Sequence, residues 1–84
     1  MNTTEAEDLV RRCLGQIAPE VPFADVAADV DYREALALDS VDFLQLVELL
    51  SERTGVRIDE SDYPKLATIA STVDFLAGLP VPRA

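Results

Sequence analysis

Histidine is missing altogether from the 84 residues, and cysteine occurs once, at Cys13. Without an imidazole no Ser-His-acid triad can be built within the chain, and Asp39, the acid next to Ser40, is a poor base for a hydroxyl of very high pKa. A single cysteine has no internal partner, and no cluster of Cys and His offers metal ligands, so neither a disulfide nor a metal site is expected and the setting is a reducing, cytoplasmic one. Uninterrupted apolar stretches run to only a few residues, and the N-terminus lacks a basic region followed by an apolar run; no membrane span and no secretion are expected. Cations are scarce too: seven Lys and Arg face sixteen Asp and Glu, a formal net charge of −9. Nucleic acid is therefore not an expected partner, because phosphate neutralisation needs clustered cations. The acidity suits a basic protein surface, reached faster by electrostatic steering, and equally suits plain solubility; composition alone does not choose between them.

The residues that are present make one small domain, with about 4–78 folded and 79–84 a tail. Thr4-Glu5-Ala6-Glu7 fits a capping box, and Ala6, Leu9, Val10, Cys13, Leu14 and Ile17 then recur at helical spacing until Pro19 and Pro22. Cys13 falls on that apolar stripe and reads as a core thiol. From Ala18 to Leu38 no period is sustained; Phe23, Val26, Val30, Tyr32 and Leu36 anchor an ordered long loop with a short helical turn at Tyr32 to Leu36.

Asp39 is an N-cap type for a helix running to Arg53 or Thr54, closed by Gly55. On a helical wheel Phe43, Leu46, Val47 and Leu50 form one apolar face, widened by Leu44 and Leu49. Asp42, Gln45, Glu48 and Glu52 lie opposite, and Val41 falls within that polar arc, where it gains nothing from a core. Val56-Arg57-Ile58 is too short for a strand. Asp59-Glu60-Ser61-Asp62 suits the start of a brief helical turn whose length Pro64 limits; it lacks the glycine and closing glutamate of a calcium loop. Thr68 caps a last helix with Ile69, Val73 and Leu76 on one face, stopped by Gly78 and Pro80. The fold class expected is all-α: a small four-helix bundle, three main helices plus a short third, with a long loop between the first two.

A serine at a helix N-terminus suits one chemistry in particular. Free backbone N–H groups and the positive end of the helix dipole stabilise a phosphate carried on its oxygen. Leu36-Ala37-Leu38-Asp39-Ser40-Val41-Asp42 resembles the segment around the modified serine of acyl carrier proteins, and Ile58, Lys65-Leu66, Thr68-Ile69 and Val73-Asp74-Phe75-Leu76 resemble that family's third and fourth helices. The resemblance covers nearly the whole chain. It implies that a separate phosphopantetheinyl transferase, using magnesium, installs a 4′-phosphopantetheine arm from coenzyme A on Ser40. The arm's thiol, not Cys13, would hold an acyl group, and the chain itself would have no catalytic residue. It further implies a monomer whose second main helix docks acyl-loading and acyl-processing enzymes with basic patches through Asp39, Val41, Asp42, Gln45, Glu48 and Glu52.

The chain departs from the family pattern at several positions, the first two conservative, and the departures on the second main helix point to specialised branches. Ala37 stands where glycine is usual and Val41 where leucine is commoner. Gln45 and Ser51 occupy positions that are often charged in fatty-acid carriers, which favours polyketide or other specialised metabolism over fatty-acid synthesis. A peptidyl or aminoacyl carrier of nonribosomal type is the near alternative, against which Asp39 speaks. Phe43 is large for its place and is expected to shorten any space for a chain sequestered in the bundle. Arginine outnumbers lysine six to one, consistent with a GC-rich bacterial source.

Overall fold

The computed structural model describes residues 2–35 and 38–78. The motif residues Leu36 and Ala37, Pro80 of the expected stop and the expected tail lie outside the described residues, whereas Gly78 is the C-cap of the last helix. Within them the chain forms α1 (Thr3–Ile17), α2 (Tyr32–Ala35), α3 (Ser40–Thr54), a 3-10 helix (Glu60–Leu66) and α4 (Ile69–Ala77). The class is all-α as expected. The elements number five because the turn after the long loop is a helix in its own right.

The first helix begins earlier than its sequence suggests. Asn2, in extended conformation, accepts the N–H of Glu5 on its side-chain oxygen at 2.8 Å and that of Ala6 on its carbonyl at 3.0 Å. Thr4 is thus already helical, and the expected Thr4/Glu7 capping box does not form; Glu7 pairs instead with Arg11, one turn on. Ala6, Val10, Cys13 and Leu14 are fully buried. Burial pushes the Cys13 thiol above its ordinary pKa against the opposing pull of Arg53, as befits a packed rather than a reactive cysteine.

Side-chain anchors hold the long loop onto the helices. Arg11 Nη1 donates to the carbonyls of Phe23 and Val26, at 2.5 and 2.8 Å, while its Nε pairs with Glu7 at 3.0 Å. Two main-chain acceptors far along the sequence are thereby satisfied by one guanidinium. Asp31 then starts α2, its Oδ1 accepting the N–H groups of Arg33 and Glu34. Tyr32 is fully buried, and its hydroxyl lies 2.9 Å from Thr72 Oγ1. Thr72 gives its own proton to the Thr68 carbonyl at 2.7 Å, so the tyrosine is the donor in the Tyr32–Thr72 bond. Main-chain bonds from Tyr32 to Ala67 and from Ala70 to Ala28 seal this seam between the loop and the start of α4.

The second half is built from caps. Asp59 donates its N–H to Asp62 Oδ2 at 3.2 Å ahead of the 3-10 helix, which passes through Pro64 to Leu66 instead of stopping at the proline. Complete burial of Leu66 carries the segment past the break that a missing N–H imposes. Thr68 and Ser71 cap α4 reciprocally, N–H to Oγ, at 3.0 and 3.1 Å. Val56 to Ile58 forms no strand; Ile58 simply packs into the core. α1 lies against both α3 and α4, and the 3-10 helix against α4, so α3 keeps one long side uncovered. No helix among the described residues is long and apolar enough to cross a membrane.

Candidate functional site

α3 opens with the reciprocal box that its first residues encode. Asp39 Oδ1 accepts the N–H of Asp42 at 2.8 Å, and Asp42 Oδ2 accepts the N–H of Asp39 at 3.3 Å. The Asp39 carbonyl takes the N–H of Phe43 at 3.0 Å. Both carboxylates are therefore engaged in holding the helix start, and neither is held against the Ser40 hydroxyl as a base. Ser40 is the first helical residue; it is exposed, and its hydroxyl takes no part in the bonds that close the helix end. The other end is as firmly set. Gly55 takes the left-handed conformation, φ 71°, and donates to the Ser51 carbonyl at 2.8 Å. Ser51 Oγ donates to the carbonyl of Val56 at 2.7 Å. The Ser51 hydroxyl thus serves the helix end.

The buried face of α3 is Phe43, Leu46, Val47 and Leu50, as its spacing predicts. Leu49 is half-buried, but Leu44 is not on the apolar side: it is 47% exposed, and Val41, one turn before it, is 62% exposed. The face that meets α1 is narrower than the run of leucines suggests, and Leu44 lies on its far flank beside Val41. The sequence signal for this was available, since residues three apart share a helix face. Gln45, Glu48 and Glu52 are exposed in line with Val41, whereas Asp42 is half-buried at the box. Of the four ion pairs among the described residues none involves Glu48 or Glu52. The result is a strip with a serine at its head, two apolar side chains in its first turns and two exposed carboxylates below.

Sequences of known function fit this arrangement. The family described as "Phosphopantetheine attachment site" matches residues 8–76. An acyl carrier protein of Acidothermus cellulolyticus is 30% identical over 61 residues, 73% of each chain. One from Saccharopolyspora erythraea is 29% identical over 59 residues, covering 70% of this chain and 62% of that protein. The mitochondrial acyl carrier protein of Saccharomyces cerevisiae is 25% identical over 63 residues, 75% of this chain and half of that one. The chain belongs to the phosphopantetheine-binding acyl carrier protein family. Acyl carrier proteins carry and do not catalyse, and their cofactor is a covalent 4′-phosphopantetheine.

Beside the strip, this acyl carrier protein has a second feature that sequence reasoning did not reach. Phe43 is buried and packs against Tyr63 in a T-shaped pair, 5.2 Å between centroids with an 82° interplanar angle. The Arg33 guanidinium lies over the same ring, 4.2 Å from its centroid. Arg33 and Tyr63 also border an open cleft of about 620 Å³ between α2 and the 3-10 helix, together with Asp31, Glu34, Leu38 and Glu60. No local pattern joins residues 33, 43 and 63; the loop's path does.

Proposed function

We propose that Ser40 is the residue that bears the 4′-phosphopantetheine arm, and that the chain, as one domain of residues 4–78, delivers acyl intermediates to enzymes that dock on α3. The observation that carries this is an exposed serine, its hydroxyl uncommitted among the described residues, at the first position of a firmly capped helix heading an acidic strip. The residues present fit the group. Of the first N–H groups of α3, those of Asp42 and Phe43 are taken by Asp39, while those of Ser40 and Val41 have no partner among the described residues. They and the helix dipole favour a phosphodiester there by roughly 0.3–1 kcal/mol, opposing the nearby carboxylates, which are screened by solvent.

In the loading step the Ser40 oxygen attacks the phosphorus on the pantetheine side of coenzyme A's phosphoanhydride. The new P–O bond forms as the anhydride P–O bond breaks, adenosine 3′,5′-bisphosphate leaves, and the serine proton passes to a base on the transferase. The bound arm supplies a terminal thiol on which acyl groups ride as thioesters. The strip Asp39, Val41, Asp42, Gln45, Glu48 and Glu52, extended by Leu44, is the docking surface. Glu48 and Glu52, in no ion pair among the described residues, attract basic patches on the transferase and on acyl-loading and acyl-processing enzymes, and Val41 with Leu44 supplies apolar contact. Gln45, uncharged and exposed in the middle of the strip, favours polyketide or other specialised metabolism over fatty-acid synthesis. The carrier works as a cytoplasmic monomer.

Intact mass measured after incubation with coenzyme A, magnesium and a broad-specificity phosphopantetheinyl transferase tests the assignment. The wild type gains one phosphopantetheine and Ser40→Ala gains none. An unmodified wild type beside a modified control carrier, or a modified Ser40→Ala, removes the proposal.

A further inference from the structure

Resting on the reading of Ser40 just given, we infer that the cleft between α2 and the 3-10 helix seats the carried chain and selects chains bearing carbonyl and hydroxyl groups over saturated ones. Its place is suitable. Leu38 borders the cleft and precedes Ser40 by two residues, at most about 7 Å of backbone. The cleft's volume of about 620 Å³ falls within the range of small-molecule sites.

The chemistry of the walls makes the selection. Arg33 is held by its cation–π contact on Phe43, yet its guanidinium meets no hydrogen-bond acceptor or carboxylate among the described residues. A positioned fork of N–H donors, unengaged by the described residues, is thus offered to carbonyl oxygens of a carried chain. Asp31 is engaged at the start of α2, but the carboxylates of Glu34 and Glu60 remain to accept hydroxyl protons. Three carboxylates against one guanidinium disfavour a chain ending in a carboxylate. A saturated chain would strip water from Arg33, Glu34 and Glu60 and return no hydrogen bond, which is costly. Leu38 and the Tyr63 ring supply apolar wall for the intervening carbons. The bundle interior is closed on this side, since Phe43 lies buried beneath Arg33 and against Tyr63, and a chain entering there must displace both.

The test uses the full chain loaded through the transferase with three pantetheine analogues joined by a stable amide: the bare arm, a saturated eight-carbon chain, and a 3,5-dioxo chain of equal length. Backbone amide and Arg Nε shifts are compared by ¹⁵N NMR. The dioxo chain is expected to shift Arg33, Leu38, Tyr63 and Ala67 beyond the bare arm, and the saturated chain to leave them unmoved. Arg33→Ala is expected to lower the seated population about tenfold, the scale of one charge-assisted hydrogen bond, with Arg33→Lys in between. Equal shifts from saturated and dioxo chains, or an Arg33→Ala response equal to wild type, overturn the assignment, and the wild-type comparison decides this even if the variant unfolds. Loading of the bare arm reports separately on Ser40: a chain that takes no arm overturns both readings, whereas one that takes it without selective shifts overturns only the cleft.

Discussion

Arg11→Ala removes a guanidinium that binds two loop carbonyls, and its cost can be set against a neighbour of the same type. Arg11 and Arg12 each pair with a carboxylate one turn earlier at 3.0 Å, but the Arg12 side chain is 71% exposed and the Arg11 side chain 19%. Exposed pairs of this kind contribute roughly 0.3–0.5 kcal/mol, so Arg12→Ala should cost no more than that. Arg11 also donates to Phe23 and Val26, and charge-assisted hydrogen bonds contribute about 1.5–3 kcal/mol each when truncation leaves the acceptors bare. Water can reach loop carbonyls, which lowers the sum to about 2–3 kcal/mol. That is a large share of the roughly 4–13 kcal/mol expected for a domain of this length. The corresponding fall in Tm is about 10–20 °C. Urea titrations of wild type, Arg11→Ala, Arg12→Ala and Glu7→Gln measure it, with Glu7→Gln separating the ion pair from the carbonyl bonds. Equal losses for Arg11→Ala and Arg12→Ala would refute the clamp.

Two further predictions concern the buried hydroxyls and the docking strip. Thr72→Val strands the Tyr32 proton in the core and should cost about 1–3 kcal/mol, more than the roughly 1 kcal/mol of Tyr32→Phe, in which Thr72 keeps its bond to Thr68; the reverse order in denaturant titrations contradicts the assigned donor. Burial pushes the Tyr32 pKa up to about 12, so the unfolded chain loses its proton first. Stability is therefore fully present below about pH 10 and falls by up to roughly 2–3 kcal/mol as pH rises to 12, a slope that Tyr32→Phe should diminish. Glu48→Lys relieves a like-charge contact with Glu52 and should raise stability by about 0.2–0.5 kcal/mol while slowing transferase modification of Ser40 several-fold at low salt. An unchanged modification rate separates α3's charge from docking.

Much of the architecture was legible because it is local. The Asp39–Gly55 helix, its buried face and the Thr68 cap depend on residues within one or two turns, where side-chain type and spacing suffice. Local rules also misled where two starts competed: Asn2 and Thr4 are both cap types, and the earlier one was taken. Leu44 looked like core because hydrophobicity does not say how wide a face its neighbour covers, and Pro64 looked like a stop because burial of Leu66 is a tertiary gain.

By itself, the sequence determined that this is a small acidic helical protein with a serine at a helix start and no histidine to activate it. Those properties follow from composition and short-range pattern. Only the tertiary structure decided that Arg11 holds the loop, that Tyr32 bonds Thr72 across 40 residues, and that Arg33 sits on Phe43 beside a cleft. Each of these depends on where an aperiodic loop is laid down. That path is set by burial and by bonds between distant residues, which no local pattern encodes.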